Sequence, residues 1–132
     1  MAEFSDYMEN KILNSLRNVA GVQVAAYVAL FTAVTGLEAD SGWSATEVTG
    51  GDYARQLAGL TEATGAGGAT SNAADITFPQ ASADWGIITH AALMDALTSG
   101  HVLMWTQLDV PKTIGTGDTF KFAAGDLDVT VA

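Results

Sequence analysis

The chain holds two histidines, His90 and His101, the only imidazoles available for general-base work or for nitrogen ligation of a metal. If the apolar runs 87–94 and 102–108 form a hairpin closed by residues 95–100, Met94 lies opposite His101 and His90 opposite Trp105. In that register both rings share a face but stand several residues apart, too far to ligate one ion, so two structural histidines are expected. A slip of one residue would exchange the faces. Hydroxyl side chains are plentiful, yet no Gly-x-Ser-x-Gly elbow surrounds any serine, so a Ser-His-Asp triad has no local context. The acidic pairs Glu38 with Asp40 and Asp126 with Asp128 would each face one way on a strand, where their oxygens suit Ca²⁺. No EF-hand spacing accompanies them, and a solvated acidic face is the commoner outcome. Catalytic residues, cofactors and metal ligands are therefore all expected to be absent, and the chain reads as a non-enzyme.

The glycines at 65, 67 and 68 make no phosphate loop, because a Walker motif needs a Lys followed by Ser or Thr and no Lys or Arg lies between Arg55 and Lys112. The three tryptophans anchor either a core or a contact. Trp85 and Trp105 are expected in the core or at a subunit contact. Trp43, in the polar stretch 36–49, is expected to be the more exposed and is the leading candidate for touching a partner or glycan. The plainer alternative is that it caps one end of the fold.

The elements that must position these groups follow from pattern. Asp6 followed by Glu9 has capping-box spacing, and Met8, Ile12, Leu13 and Leu16 recur on one stripe, which predicts a helix over 6–17. Arg17 suits the C-terminal end of its dipole, and Asn18 and Gly21 supply a stop. Residues 22–31 are β-rich, with Val22, Val24, Val28 and Leu30 on one face and Tyr27 and Phe31 on the other, so an interior strand covered on both faces is expected. A second strand is placed near Tyr53, a surface loop over 60–72, and a short strand over 75–78 closed by Pro79. Pro111 is expected to end the strand begun at 102. Gly115, Gly117 and Asp118 form the next turn, and residues 123–126 turn a last hairpin over 119–131. The fold class is mainly β: a single domain over 1–132 built as an antiparallel β-sandwich, of which a jelly roll is one form, with one short N-terminal α-helix and the sandwich over about 22–132.

Composition narrows the partners. At 132 residues with no cysteine, one core without disulfides suffices. Fifteen acids against five scattered bases give a net charge of −10, which repels phosphate backbones and anionic lipid, so neither nucleic acid nor membrane is an expected partner. No basic leader and no run of about twenty apolar residues is seen, and synthesis and use in one compartment are expected. An apolar fraction of 48% with 15% charge exceeds what one small core needs to hide, although Ala and Gly supply much of it. The surplus points to burial against another protein.

The chain resembles small tailed-phage virion proteins that are often labelled tail fibre proteins. The resemblance is carried by Phe4-Ser5-Asp6-Tyr7 with Glu9-Asn10-Lys11, by Tyr27-Val28-Ala29-Leu30-Phe31-Thr32-Ala33, and by Glu47-Val48-Thr49-Gly50-Gly51-Asp52-Tyr53-Ala54-Arg55. It continues through Phe78-Pro79, Ala83-Asp84-Trp85-Gly86, Thr89-His90, Pro111-Lys112-Thr113, Gly117-Asp118 and Phe122-Ala123-Ala124-Gly125-Asp126-Leu127. It implies a structural component of a phage particle made in the host cytoplasm, with no catalytic residues to carry over. A domain of this length has a radius of gyration of about 14 Å, a knob rather than a shaft, and no repeat or heptad seam supplies fibre length. The expected role is therefore a capsid decoration or cement protein, homo-oligomeric, bound to the major capsid protein at subunit junctions. The alternative is a tail fibre or tail adaptor module that recognises a host surface. The residues expected to meet a partner are Trp43, with Tyr7, Met8 and Ile12 where the helix packs as an arm on a neighbour; the alternative, slightly favoured, is that the helix covers one end of the sheet.

Overall fold

The computed structural model describes residues 3–16, 25–61 and 69–130. Their order is β1 (Glu3–Phe4), α1 (Asp6–Ser15), β2 (Tyr27–Phe31), β3 (Gln56–Leu57), β4 (Ala69–Ser71), β5 (Ile76–Thr77), β6 (Gly86–Met94), β7 (Val102–Ile114), β8 (Lys121–Phe122) and β9 (Asp128–Thr130), with a 3-10 turn at Trp43–Ala45. The described residues form a mainly β, antiparallel fold with one α-helix, as the β-rich apolar runs predict. A five-stranded sheet runs β1-β7-β6-β2-β3, and two two-stranded sheets pair β4 with β9 and β5 with β8.

Strand β2 explains how the layers form. It is interior to the large sheet, and all of Val28, Ala29, Leu30 and Phe31 are buried. Val28 and Leu30 point into a cluster with Ile76, Phe78, Phe120, Leu127 and Val129, so both short sheets close one face. Ala29 and Phe31 point the other way, into a cluster with Leu37, Ala92, Met94 and Val102 under Trp43 and Trp105. The expected two-sided burial is therefore observed. The proposed start of this strand at residue 22 lies outside the described residues, as do the stop signals at 17, 18 and 21.

Helix α1 begins one residue earlier in its capping than the sequence predicts. The N-cap is Ser5, not Asp6: its hydroxyl accepts from the Met8 N–H (3.2 Å) and donates to the Val102 carbonyl. Asp6 becomes the first helical residue, where its charge still suits the dipole. Ser5 is fully buried and its own N–H bonds the Leu103 carbonyl (3.0 Å), so this one residue ties the helix start to β7. Ser5→Ala is expected to lower stability by about 1–2 kcal/mol, the usual worth of a cap, measured by urea unfolding. An unchanged midpoint would refute the assignment.

Further expectations are corrected. The β6–β7 register is slipped, with Met94 opposite Val102, Ala92 opposite Trp105 and His90 opposite Gln107. Between Met94 and Leu93 the partner jumps from Val102 to Met104, and Leu103 and Met104 both enter the larger core cluster, which is how an extra residue in a bulge behaves. Pro111 does not end the strand. It lies within β7, in the stretch between Gln107 and Lys112 where the pairing shifts, so its missing N–H costs no ladder bond. The terminal hairpin is absent: a turn does form at 123–126, with Asp126 N–H on the Ala123 carbonyl (2.9 Å), but its arms β8 and β9 pair with β5 and β4 respectively. Of the surface loop expected over 60–72, residues 62–68 lie outside the described residues and Ala69–Ser71 form strand β4; the strand foreseen near Tyr53 begins at Gln56. The turn at Gly115, Gly117 and Asp118 forms as expected, with Gly117 at φ +91°.

Candidate functional site

Two polar assemblies stand out, one on the surface beside α1 and one inside. On the surface, Asp40 adopts the left-handed conformation (φ 54°) that its short polar side chain tolerates, and one of its carboxylate oxygens accepts from the Val102 N–H (2.7 Å). The other oxygen lies 2.7 Å from His101 Nδ1. The His101 ring stacks on Tyr7 of α1, 3.9 Å between centroids and 7° from parallel, and Lys11 Nζ stands 5.9 Å from the Tyr7 ring. Glu38, two residues from Asp40, accepts from Trp105 Nε1 (2.7 Å). Its carboxylate also gathers with those of Asp6 and Glu9, all three exposed, with oxygens within 4.8 Å of one another.

The acidic pairs foreseen on strands are therefore differently sorted. Glu38 and Asp40 occupy a turn and serve different partners, while Asp126 sits in a turn where it accepts from the Ala123 N–H (3.2 Å) and Asp128 opens β9. The histidines also part company. His101 is half-exposed at the turn with an aspartate partner, whereas His90 is buried in β6 and bonds the Thr89 hydroxyl (2.8 Å). The aspartate and the hydroxyl that a triad would place on one imidazole are thus divided between two.

Burial holds the His90 pKa below its ordinary value, because the uncharged ring is favoured away from water. The unfolded chain therefore takes up the proton first as pH falls. Stability is complete above the unfolded pKa of about 6.5 and declines as pH drops below it, until the lowered folded pKa is reached. Comparing urea midpoints of wild type and His90→Gln from pH 7.5 to 5 isolates this effect. The wild type is expected to lose stability more steeply, by at most about 1.4 kcal/mol per pH unit, and parallel curves would rule it out.

The interior assembly centres on Arg55, whose side chain is 3% exposed. Its Nε and one terminal nitrogen grip both oxygens of Glu47 (2.7 and 2.8 Å), and the other terminal nitrogen donates to the Ala96 and Ser99 carbonyls (both 2.8 Å). The Tyr53 hydroxyl donates to Glu47 (2.8 Å) and accepts from the Leu30 N–H (3.0 Å). Burial, reinforced by the adjacent Glu47 charge, pushes the Tyr53 pKa far up, so the phenol stays a donor. Burial works against the Arg55 charge, but the hydrogen bonds and charge of Glu47 outweigh it and leave its pKa raised. The network clamps the β6–β7 turn onto the sheet.

Trp43 belongs to this assembly rather than to open surface. It is half-buried, edge-on to Phe31 (6.3 Å) with the Arg55 guanidinium 5.4 Å above it. Trp85 is a core residue, and Trp105 is half-buried over the second face. Tyr7 and Met8 pack inward on the larger cluster, and Ile12 is half-buried on the same helix. The sequence reading did not single out Ser5, Asn72 or the Arg55–Glu47 pair. The available signal is that Arg55 is the one Lys or Arg between Arg17 and Lys112. A depression of about 580 Å³ along β7 is lined by side chains of mixed character including Leu108, Asp109, Lys112, Phe122 and Asp128, and His90 and His101 are not among them.

No helix among the described residues is long and apolar enough to cross a membrane. No curated protein matches the chain. Residues 3–130 match the family described as Podophage GP4 fiber I protein gp80. The chain belongs to this phage fibre family, and with it is a structural protein of the bacteriophage virion.

Proposed function

We propose, from membership of that family, that the chain is a compact module of a phage tail fibre, working by attachment to neighbouring virion proteins rather than by chemistry. The observation that carries this reading is the family match over residues 3–130. The architecture agrees with a module rather than a shaft, since the one α-helix among the described residues spans ten residues and the longest strand thirteen. Length in the fibre then comes from other components or from repetition of copies.

The capsid cement reading draws its support from the small compact size, the lack of a repeat or heptad seam and the apolar surplus, and those features serve a fibre adaptor module equally well. The family favours the fibre. Direct recognition of a host glycan through Trp43 loses ground because that ring is engaged by Phe31 and Arg55. Quantitative mass spectrometry of purified particles, with labelled antibody to locate the protein, decides between the readings. A small, fixed number of copies at the tail is expected. Hundreds of copies spread over the head would replace the fibre reading with the decoration one.

A further inference from the structure

The geometry points to the outward face of α1 as a docking surface for a different virion protein, one presenting an apolar spot next to Lys or Arg side chains. This partner rests on the virion reading above. The helix has two faces of different character. Tyr7, Met8, Lys11 and Ile12 are half-buried against the body, whereas Asp6, Glu9, Leu13 and Leu16 are exposed. At about 100° per residue those four fall within an arc of about 80°, spaced three, four and three apart, the spacing with which one helix meets another surface.

Leu13 and Leu16 are 60% and 81% exposed, one turn apart, at the C-terminal end of that stripe. Asp6 and Glu9 occupy its N-terminal end, and Glu38 arrives there from the turn before Asp40 to bring three carboxylates within 4.8 Å. The helix dipole accounts for acids in a first turn. Glu38 is held there by the Trp105 indole N–H (2.7 Å) and adds a third negative charge to that end, but neither the dipole nor this bond accounts for two leucines turned to water.

The charge pattern selects the occupant. A second copy meeting this stripe in parallel sets acids against acids, and in antiparallel sets the leucines against carboxylates; both arrangements are unfavourable. Anionic lipid and nucleic acid are repelled by the same carboxylates. A protein surface that matches leucines with apolar side chains and the acidic end with Lys or Arg satisfies both halves.

Two variant pairs and one cross-link test this in assembled virions. Leu13→Ser with Leu16→Ser is expected to cut incorporation into particles at least tenfold with no change in melting temperature, since both side chains are exposed. Asp6→Asn with Glu9→Gln is expected to cut it severalfold and to remove the loosening by 0.5 M NaCl expected of the wild type. A photo-reactive benzoylphenylalanine at position 13 should join a Lys- or Arg-bearing peptide of another virion protein. Unchanged incorporation, or a cross-link to a second copy of this chain or to an acidic peptide, overturns the proposal. The fibre reading fails separately, where the unaltered protein is found on the head; the docking face then stands if Leu13 still meets a basic segment there.

Discussion

Arg55→Met is expected to destabilise the fold by about 3–5 kcal/mol, the cost of leaving a buried carboxylate without its partner. Marginal domains hold only about 5–15 kcal/mol in all. Glu47 would keep only the Tyr53 hydroxyl, and the Ala96 and Ser99 carbonyls would lose their shared donor. Arg55→Lys preserves the charge but cannot span Glu47 and two carbonyls with one ammonium, so most of the loss should remain. Guanidinium unfolding measures the total. Amide exchange supplies the spatial signature, with residues 95–100 opening before the sheet does. A loss below about 1 kcal/mol would mean that the clamp is redundant with the packing of Trp43 and Phe31.

Asn72→Ala is expected to cost about 2–4 kcal/mol, because buried groups left without partners cost about 1–3 kcal/mol each. Asn72 is 2% exposed; its amide nitrogen donates to the Ala74 and Ala123 carbonyls and its oxygen accepts from the Leu127 N–H, all at 2.9 Å. Its backbone carbonyl also accepts from the Gly125 N–H (2.9 Å). This clasp is what holds the turn at 123–126 while the arms on either side leave for different sheets. Asn72→Asp keeps the acceptor but loses both donors and buries a charge, so it should be at least as damaging. Unfolding midpoints test the magnitude, and faster amide exchange at Asp128–Thr130 than at Gly86–Met94 tests the location. Equal exchange in both strands would assign the loss to the whole core instead.

What was legible in the sequence was local. The apolar run at 87–94 predicted β6, the two apolar faces of 22–31 predicted burial on both sides where the strand is described, and the helix and the turn at 115–118 appeared within a residue or two of their signals. Where the reading failed, a distant partner was responsible. The stripe of Met8, Ile12, Leu13 and Leu16 could not announce that the body would take Met8 and Ile12 and leave both leucines exposed. Pro111 reads as a terminator until the register shift opposite it is known. Ser5 outcompeted Asp6 as the cap because Val102 lay within reach of its hydroxyl, a partner 97 residues away.

The sequence by itself determined that this chain is a mainly β, acidic, cysteine-free protein with one amphipathic helix, and its motifs carried the resemblance to phage virion proteins. Those properties depend on side-chain period, turn chemistry and charge count, all of which are local or additive. Only the tertiary structure decided the pairing of β8 and β9, the slipped register of β6 and β7, the enclosure of Arg55, and which side of α1 faces outward. Each of these is a choice among distant partners of similar local chemistry. The winner is the arrangement that buries the apolar faces while leaving no buried side-chain polar atom unpartnered among the described residues.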